Sequence, residues 1–96
     1  MYSLIIKDRA LRMTLEAYDW YEVQKKGLGE EFLAELDTSY KKIQTHPTFY
    51  SIIKKNYRQV SLKRFPYVIV YEIIKSQVIV FAVFHTSRNP GLKFRD

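Results

Sequence analysis

Residues 57–85 read YRQVSLKRFPYVIVYEIIKSQVIVFAVFH, a stretch rich in aromatic and β-branched residues. Its aromatic and β-branched residues follow an extended period, which predicts three strands over 57–64, 67–74 and 77–85. The link between the last two strands is short enough for a hairpin, and Phe65-Pro66 marks the other turn or a bulge. Residues 78–84 are apolar at both odd and even positions, so the last strand is predicted to be central and covered on both faces.

Upstream of these strands the pattern is helical. A short strand candidate over 2–6 precedes a helix with Asp8 as its N-cap, which runs to about Lys26 and has Gly27 after its end. A second helix begins near Leu28 and ends before Pro47. The order β-α-α-β-β-β predicts an α+β fold, a two-layer sandwich in which an N-terminal strand and a helical hairpin pack on an antiparallel sheet.

Composition sets the class of protein. The 96 residues are predicted to form one domain, 1–96, and an apolar share of 47% with 16% aromatic residues excludes intrinsic disorder. The absence of cysteine excludes a disulfide scaffold, zinc–thiolate sites and thiol nucleophiles. The longest uncharged stretch, 76–87, is far shorter than the roughly 20 residues that span a bilayer. We therefore expect a soluble, cytoplasmic protein with no membrane partner.

The net charge of +6 is concentrated in the second half of the chain. Residues 1–50 carry seven basic and eight acidic side chains, whereas residues 51–96 carry nine basic and two acidic ones. Such polarisation favours a polyanionic or strongly acidic partner. A soluble surface that is merely basic is the alternative interpretation.

Several kinds of chemistry are excluded by the motifs that the sequence lacks. The three glycines match no nucleotide-binding fingerprint, no serine lies in a Gly-x-Ser-x-Gly turn, and two histidines without cysteine do not indicate a metal site. We therefore predict neither a cofactor nor a metal. The acidic residues of the helices are typical of a solvated face rather than of paired catalytic carboxylates.

The second half nonetheless holds the groups that RNA cleavage by the 2′-hydroxyl requires, namely a base, a proton donor and cations for the phosphorane charge. His85 ends the last strand and is the candidate proton-transfer group. His85 is equally well explained as a packed, hydrogen-bonded histidine. The simplest interpretation of His46 is a residue that satisfies the terminal carbonyls of a helix. The candidate cations in and after the predicted strands are Arg58, Lys63, Arg64, Arg88, Lys93 and Arg95.

The ordered set of segments resembles the RelE/ParE superfamily of toxins from bacterial type II toxin–antitoxin modules. The matching segments are EAYDWYE (16–22), GLGEEFLAEL (27–36), IQTHPTFY (43–50), YRQVSLKRFPYVIVYEI (57–73) and VIVFAVFHTSRNP (78–90). The resemblance implies the same fold and a small cognate antitoxin that covers the basic surface. RelE-like members cleave mRNA in the ribosomal A site, whereas ParE-like members inhibit DNA gyrase.

Residue roles follow from the same resemblance. Arg58 and Arg64 fall where RelE-like nucleases place phosphate-binding arginines, and His85 and Arg88 fall where those enzymes place a catalytic residue. Lys54 and Lys55 align loosely with the RelE-like lysines. The RelE-like C-terminal catalytic tyrosine is missing, and Phe94, the nearest aromatic residue, cannot exchange a proton.

Three possibilities are consistent with these residues. The first hypothesis is a ribosome-dependent mRNA endonuclease, an mRNA interferase of the kind linked to plasmid stabilisation and growth inhibition. Its predicted catalytic residues are His85, Arg64 and Arg88, and its predicted RNA-binding residues are Arg58, Lys63, Lys54, Lys55, Lys93 and Arg95. The alternative is a ParE-like, non-enzymatic inhibitor of DNA gyrase or of another protein, and an inactivated relative that binds only its antitoxin is a third possibility.

Overall fold

The computed structural model describes residues 1–87, which form two helices on one side of a five-stranded sheet. The elements follow the chain in this order: β1 (Ser3–Ile6), α1 (Asp8–Gln24), α2 (Leu28–Thr45), β2 (Ile52–Lys54), β3 (Tyr57–Ser61), β4 (Tyr67–Ile74) and β5 (Gln77–His85). The predicted α+β class is confirmed. Arg88, Lys93 and Arg95 lie outside the described residues.

The sheet is mixed rather than wholly antiparallel. Its strand order is β1-β5-β4-β3-β2, and β1 runs parallel to β5 while every other neighbouring pair is antiparallel. The Lys7 N–H donates to the Val80 carbonyl and extends this parallel pairing to the start of α1. The last strand is therefore central, as its apolar run predicts.

The boundaries differ from the sequence expectations in four places. Lys7 rather than Asp8 is the cap of α1, and Asp8 is the first helical residue. Gly27 caps the start of α2 with a φ of 89° and does not follow directly on α1, which ends at Gln24. The third strand stops at Ser61, and β2, which is only three residues long and exposed throughout, was not predicted.

One carboxylate of α1 binds the start of α2 and joins the two helices of the hairpin. Glu22 of α1 accepts hydrogen bonds from the backbone N–H groups of Gly27, Gly29 and Glu30, at 3.1, 2.7 and 3.3 Å. These N–H groups open α2 and have no partner within the helix, so an anion placed there also stabilises the positive end of the helix dipole. The orientation of α2 relative to α1 is fixed in this way.

The main core lies between the hairpin and one face of the sheet, which we call the helix-facing side. Aromatic rings of α1, α2 and the sheet meet there, with ring centroids 4.9 Å apart for Tyr21 and Phe65 and 5.0 Å apart for Phe32 and Tyr67. The opposite face, which we call the outer side, carries a second apolar cluster of Val68, Val70, Ala82 and Phe84. Both faces of β4 and β5 are therefore apolar, which explains why residues 78–84 are apolar at both odd and even positions.

Candidate functional site

A β-bulge decides on which side of the sheet His85 lies. The pairing of β4 with β5 shifts between Val70 and Tyr71, so that Phe81 has no partner in the register. Because of this extra residue, Val80 pairs with Tyr71 while His85 pairs with Tyr67, and all four side chains share the helix-facing side. A regular strand would place Val80 and His85 on opposite faces.

His85 lies beside α1. Its ring meets Tyr67 edge to face, with centroids 5.3 Å apart, and its Nδ1 accepts a 3.0 Å hydrogen bond from the Ser87 N–H. With Nδ1 as acceptor, a neutral imidazole carries its proton on Nε2. His85 lines an open groove that Met13 and Trp20 of α1 border on the other side. The imidazole is thus partly packed, and it faces the groove between α1 and the end of β5.

Arg58 is used to hold a loop. The register pairs it with Tyr71, which places it on the helix-facing side. Its Nη1 donates to the backbone carbonyls of Thr48 and Tyr50, at 3.2 and 2.6 Å, in the segment that leads from α2 to β2. A guanidinium engaged in this way anchors the loop and has fewer donors to offer a phosphate.

Arg64 and Lys63 form the turn after β3 and contact α2. The Glu35 carboxylate accepts hydrogen bonds from the backbone N–H groups of both residues, and the Arg64 guanidinium pairs with Glu31 one helical turn earlier. This hydrogen bond and the charge of Arg64 lower the pKa of the Glu31 carboxyl. The guanidinium also lies 5.4 Å from the centre of the Phe65 ring.

The predicted site residues that lie within residues 1–87 do not converge. Arg58 and His85 lie two strands apart and four residues apart along the sheet, so their Cα atoms are separated by roughly 16 Å. The Arg64 guanidinium is held on α2, whereas His85 faces α1. Lys54 ends β2 and Lys55 follows it with a φ of 52°, three strands, or about 14 Å, from β5.

Two features were missed by sequence reasoning. The sequence predicts a solvated helix face for Glu31 and Glu35, whereas both side chains bind the turn after β3. Their spacing of four residues, which places them on one side of α2, is the only signal that could have indicated a shared partner. The second feature is a cleft of about 380 Å³ between α2 and the end of β3.

Neither a metal centre nor a bilayer-spanning segment is found in the part of the chain that the structure describes. Among residues 1–87, no three His, Cys, Asp or Glu side chains gather as metal ligands would. Neither helix in the same range has the length and apolar character needed to cross a bilayer.

Comparison with known proteins identifies the family. The family model described as "ParE toxin of type II toxin-antitoxin system, parDE" matches residues 4–90. No curated protein sequence matches the chain significantly. The match to the family model confirms the resemblance to the RelE/ParE superfamily that the sequence segments indicate.

Solved structures share the fold at low sequence identity. A chain of the chromosomal ParDE system from P. aeruginosa is 16% identical, with a TM-score of 0.79, covering 88% of this chain and 96% of that one. A chain of the intact E. coli RelBE toxin–antitoxin complex is 20% identical, with a TM-score of 0.70, covering 92% and 100%. The isolated E. coli RelE toxin is 21% identical, with a TM-score of 0.68, covering 88% and 84%.

Proposed function

The chain belongs to the ParE family of toxins of type II toxin–antitoxin systems, and we propose that it acts by binding and inhibiting DNA gyrase rather than by cutting mRNA. Gyrase inhibition is the activity that the resemblance to ParE-like members implies. The cognate antitoxin is its proposed regulator, in line with the toxin–antitoxin complexes among its structural relatives.

The observation that carries this proposal is the separation of the three described side chains that a nuclease site would need. Cleavage of a phosphodiester by its own 2′-hydroxyl requires a base and a cation within hydrogen-bond reach of the same phosphate. Arg58 binds loop carbonyls, and Arg64 binds a carboxylate. The Cα atom of His85 lies roughly 16 Å from the Cα atom of Arg58. This arrangement favours a role in binding a protein over a role in cleaving RNA.

The test compares two targets with the same protein preparations. Purified wild-type toxin is added to a DNA gyrase supercoiling assay and, separately, to a translation reaction in which mRNA ends are mapped by primer extension. We expect gyrase inhibition, no new mRNA ends, and full inhibition by His85→Ala. His46→Ala, which alters the exposed histidine at the end of α2, is the matched control.

The competing hypothesis makes the opposite prediction. Ribosome-dependent mRNA ends that appear with the wild type and vanish with His85→Ala would overturn the proposal and assign proton transfer to His85. Growth arrest without either activity would also contradict it, because another protein would then be the target.

A further inference from the structure

The first helix is apolar on two opposite sides. One side, which includes Ala17 and Tyr21, is buried in the main core. The other side carries Leu11, Leu15 and Val23, which are 48%, 52% and 82% exposed. The helical period places these three side chains within about 120° of one another around the helix axis, and we call this surface the exposed face of α1. An exposed group of large apolar side chains on one helix indicates a surface that binds another protein.

The charged residues of the exposed face are ordered by sign along the helix. Arg12 comes first, Glu16 and Asp19 follow it, and the last turn of α1 holds no basic residue. All three side chains are exposed, and none of them belongs to the ion pairs formed within residues 1–87.

The order of these charges is the reverse of the one that the helix dipole favours. Cations are stabilised near the C-terminal end of a helix, and anions near its N-terminal end. The sequence of Arg12, Glu16 and Asp19 therefore does not stabilise α1 by itself. A second helix that runs antiparallel with the same sequence would instead bring its acidic end beside Arg12 and its basic end beside Asp19. The exposed face is thus complementary in charge to a second copy of itself.

The positions of these residues define a two-fold arrangement. An α-helix rises by about 1.5 Å per residue, so Arg12 and Asp19 each lie about 5 Å along the axis from a point just after Leu15. A two-fold axis at that point places Arg12 level with the partner's Asp19. It also places Leu15 beside the partner's Leu15. One symmetric arrangement therefore satisfies both the charges and the apolar side chains.

We propose that the exposed face of α1 is the interface of a homodimer, in which it packs antiparallel on the same face of a second copy. Leu15 lies at the two-fold axis, and Arg12 forms two symmetry-related ion pairs with Asp19. Such an interface uses the same surface on both copies and closes at two. A single helix face is smaller than a standard interface, so we expect a dissociation constant on the order of micromolar. The proposal does not depend on gyrase as the target.

The first test uses the absence of cysteine from the chain. In the full-length variant Leu15→Cys, the only two thiols of a dimer meet at the two-fold axis. We expect mild oxidation to link this variant into a dimer about tenfold faster or more than Ile52→Cys. Ile52 of β2 is 56% exposed and lies outside α1, which makes it the matched control. Equal rates for the two variants would overturn the proposal.

The second test exchanges the charges. Sedimentation equilibrium of the full chain measures dimerisation, and we expect Arg12→Asp and Asp19→Arg each to weaken it by about tenfold or more. The double variant Arg12→Asp, Asp19→Arg restores opposite charges across the two-fold axis and should recover the affinity of the wild type. A double variant as weak as the single variants would overturn the antiparallel pairing.

The wild type itself provides the remaining outcomes. A wild-type chain that stays monomeric up to about 1 mM would overturn the proposal. A monomer whose α1 amides exchange more slowly only after the antitoxin or gyrase is added would assign the exposed face to that partner, and would overturn the homodimer as well. A concentration-dependent dimer that Leu15→Cys links and the charge exchange restores would support it.

Discussion

The phenolic hydroxyl of Tyr71 donates a 2.5 Å hydrogen bond to the backbone carbonyl of Pro47, and both groups are buried. This bond joins the centre of β4 to the segment that follows α2, 24 residues away in the sequence. Pro47 begins the loop that Arg58 also holds, so one tyrosine and one arginine of the sheet fix the path from α2 to β2. Tyr50 of this loop lines the cleft between α2 and the end of β3.

Removing that hydroxyl should destabilise the protein. For Tyr71→Phe we expect a loss of about 1–2 kcal/mol in the free energy of unfolding, because the buried Pro47 carbonyl loses its donor. Tyr40→Phe is the matched control. The Tyr40 hydroxyl is buried and has no hydrogen-bond partner among residues 1–87, so its removal should be neutral or stabilising. Urea unfolding of both variants measures the difference, and equal losses would refute the assignment.

Alkaline pH should destabilise the fold through the same residues. Burial is the main cause that raises the pKa of Tyr71 from 10.0 to about 12, and burial also raises the pKa of Tyr40. A raised pKa means that the folded state favours the neutral phenol. The stabilisation is therefore complete below pH 10 and is lost as the pH rises towards 12.

Urea unfolding between pH 9 and pH 12 measures this dependence. The free energy of unfolding of the wild type should fall with rising pH, and the double variant Tyr40→Phe, Tyr71→Phe should show a shallower fall. Parallel curves for the two proteins would show that other groups control alkaline unfolding.

The close approach of the two helices at Gly29 makes a third prediction. A Cβ atom at this position would lie 2.8 Å from the Tyr18 carbonyl oxygen, which is backbone and cannot move aside easily. We expect Gly29→Ala to lower the free energy of unfolding by roughly 1–3 kcal/mol, despite the better helix propensity of alanine.

Gly27→Ala provides the comparison for Gly29→Ala. A Cβ atom at Gly27 meets nothing within 4 Å, but the φ of 89° disfavours any L side chain by about 1 kcal/mol. Thermal unfolding of the two variants separates steric contact from backbone strain. A Gly29→Ala protein as stable as the wild type would show that the hairpin opens without cost.

Part of the candidate site was accessible from the sequence. The sequence located the cations in the second half and placed His85 at the end of a central strand, since composition and strand period are local properties. It could not show that Arg64 pairs with Glu31, because the partners are 33 residues apart and meet only when the turn after β3 docks on α2. The cleft between α2 and the end of β3 is equally hidden from the sequence, because it exists only when these two distant elements pack together.

Apart from the short β2, the kinds of element and their order follow from the sequence, because hydrophobic periods of 3.6 and 2 residues reflect geometry within a single helix or strand. The parallel pairing of β1 with β5, and the bulge at Phe81 that turns His85 towards α1, arise only when the strands pair. Strand pairing joins distant residues, and a shift of one residue moves every later side chain to the other face. For that reason the elements were readable in the sequence, whereas the grouping of Arg58, Arg64 and His85 was not.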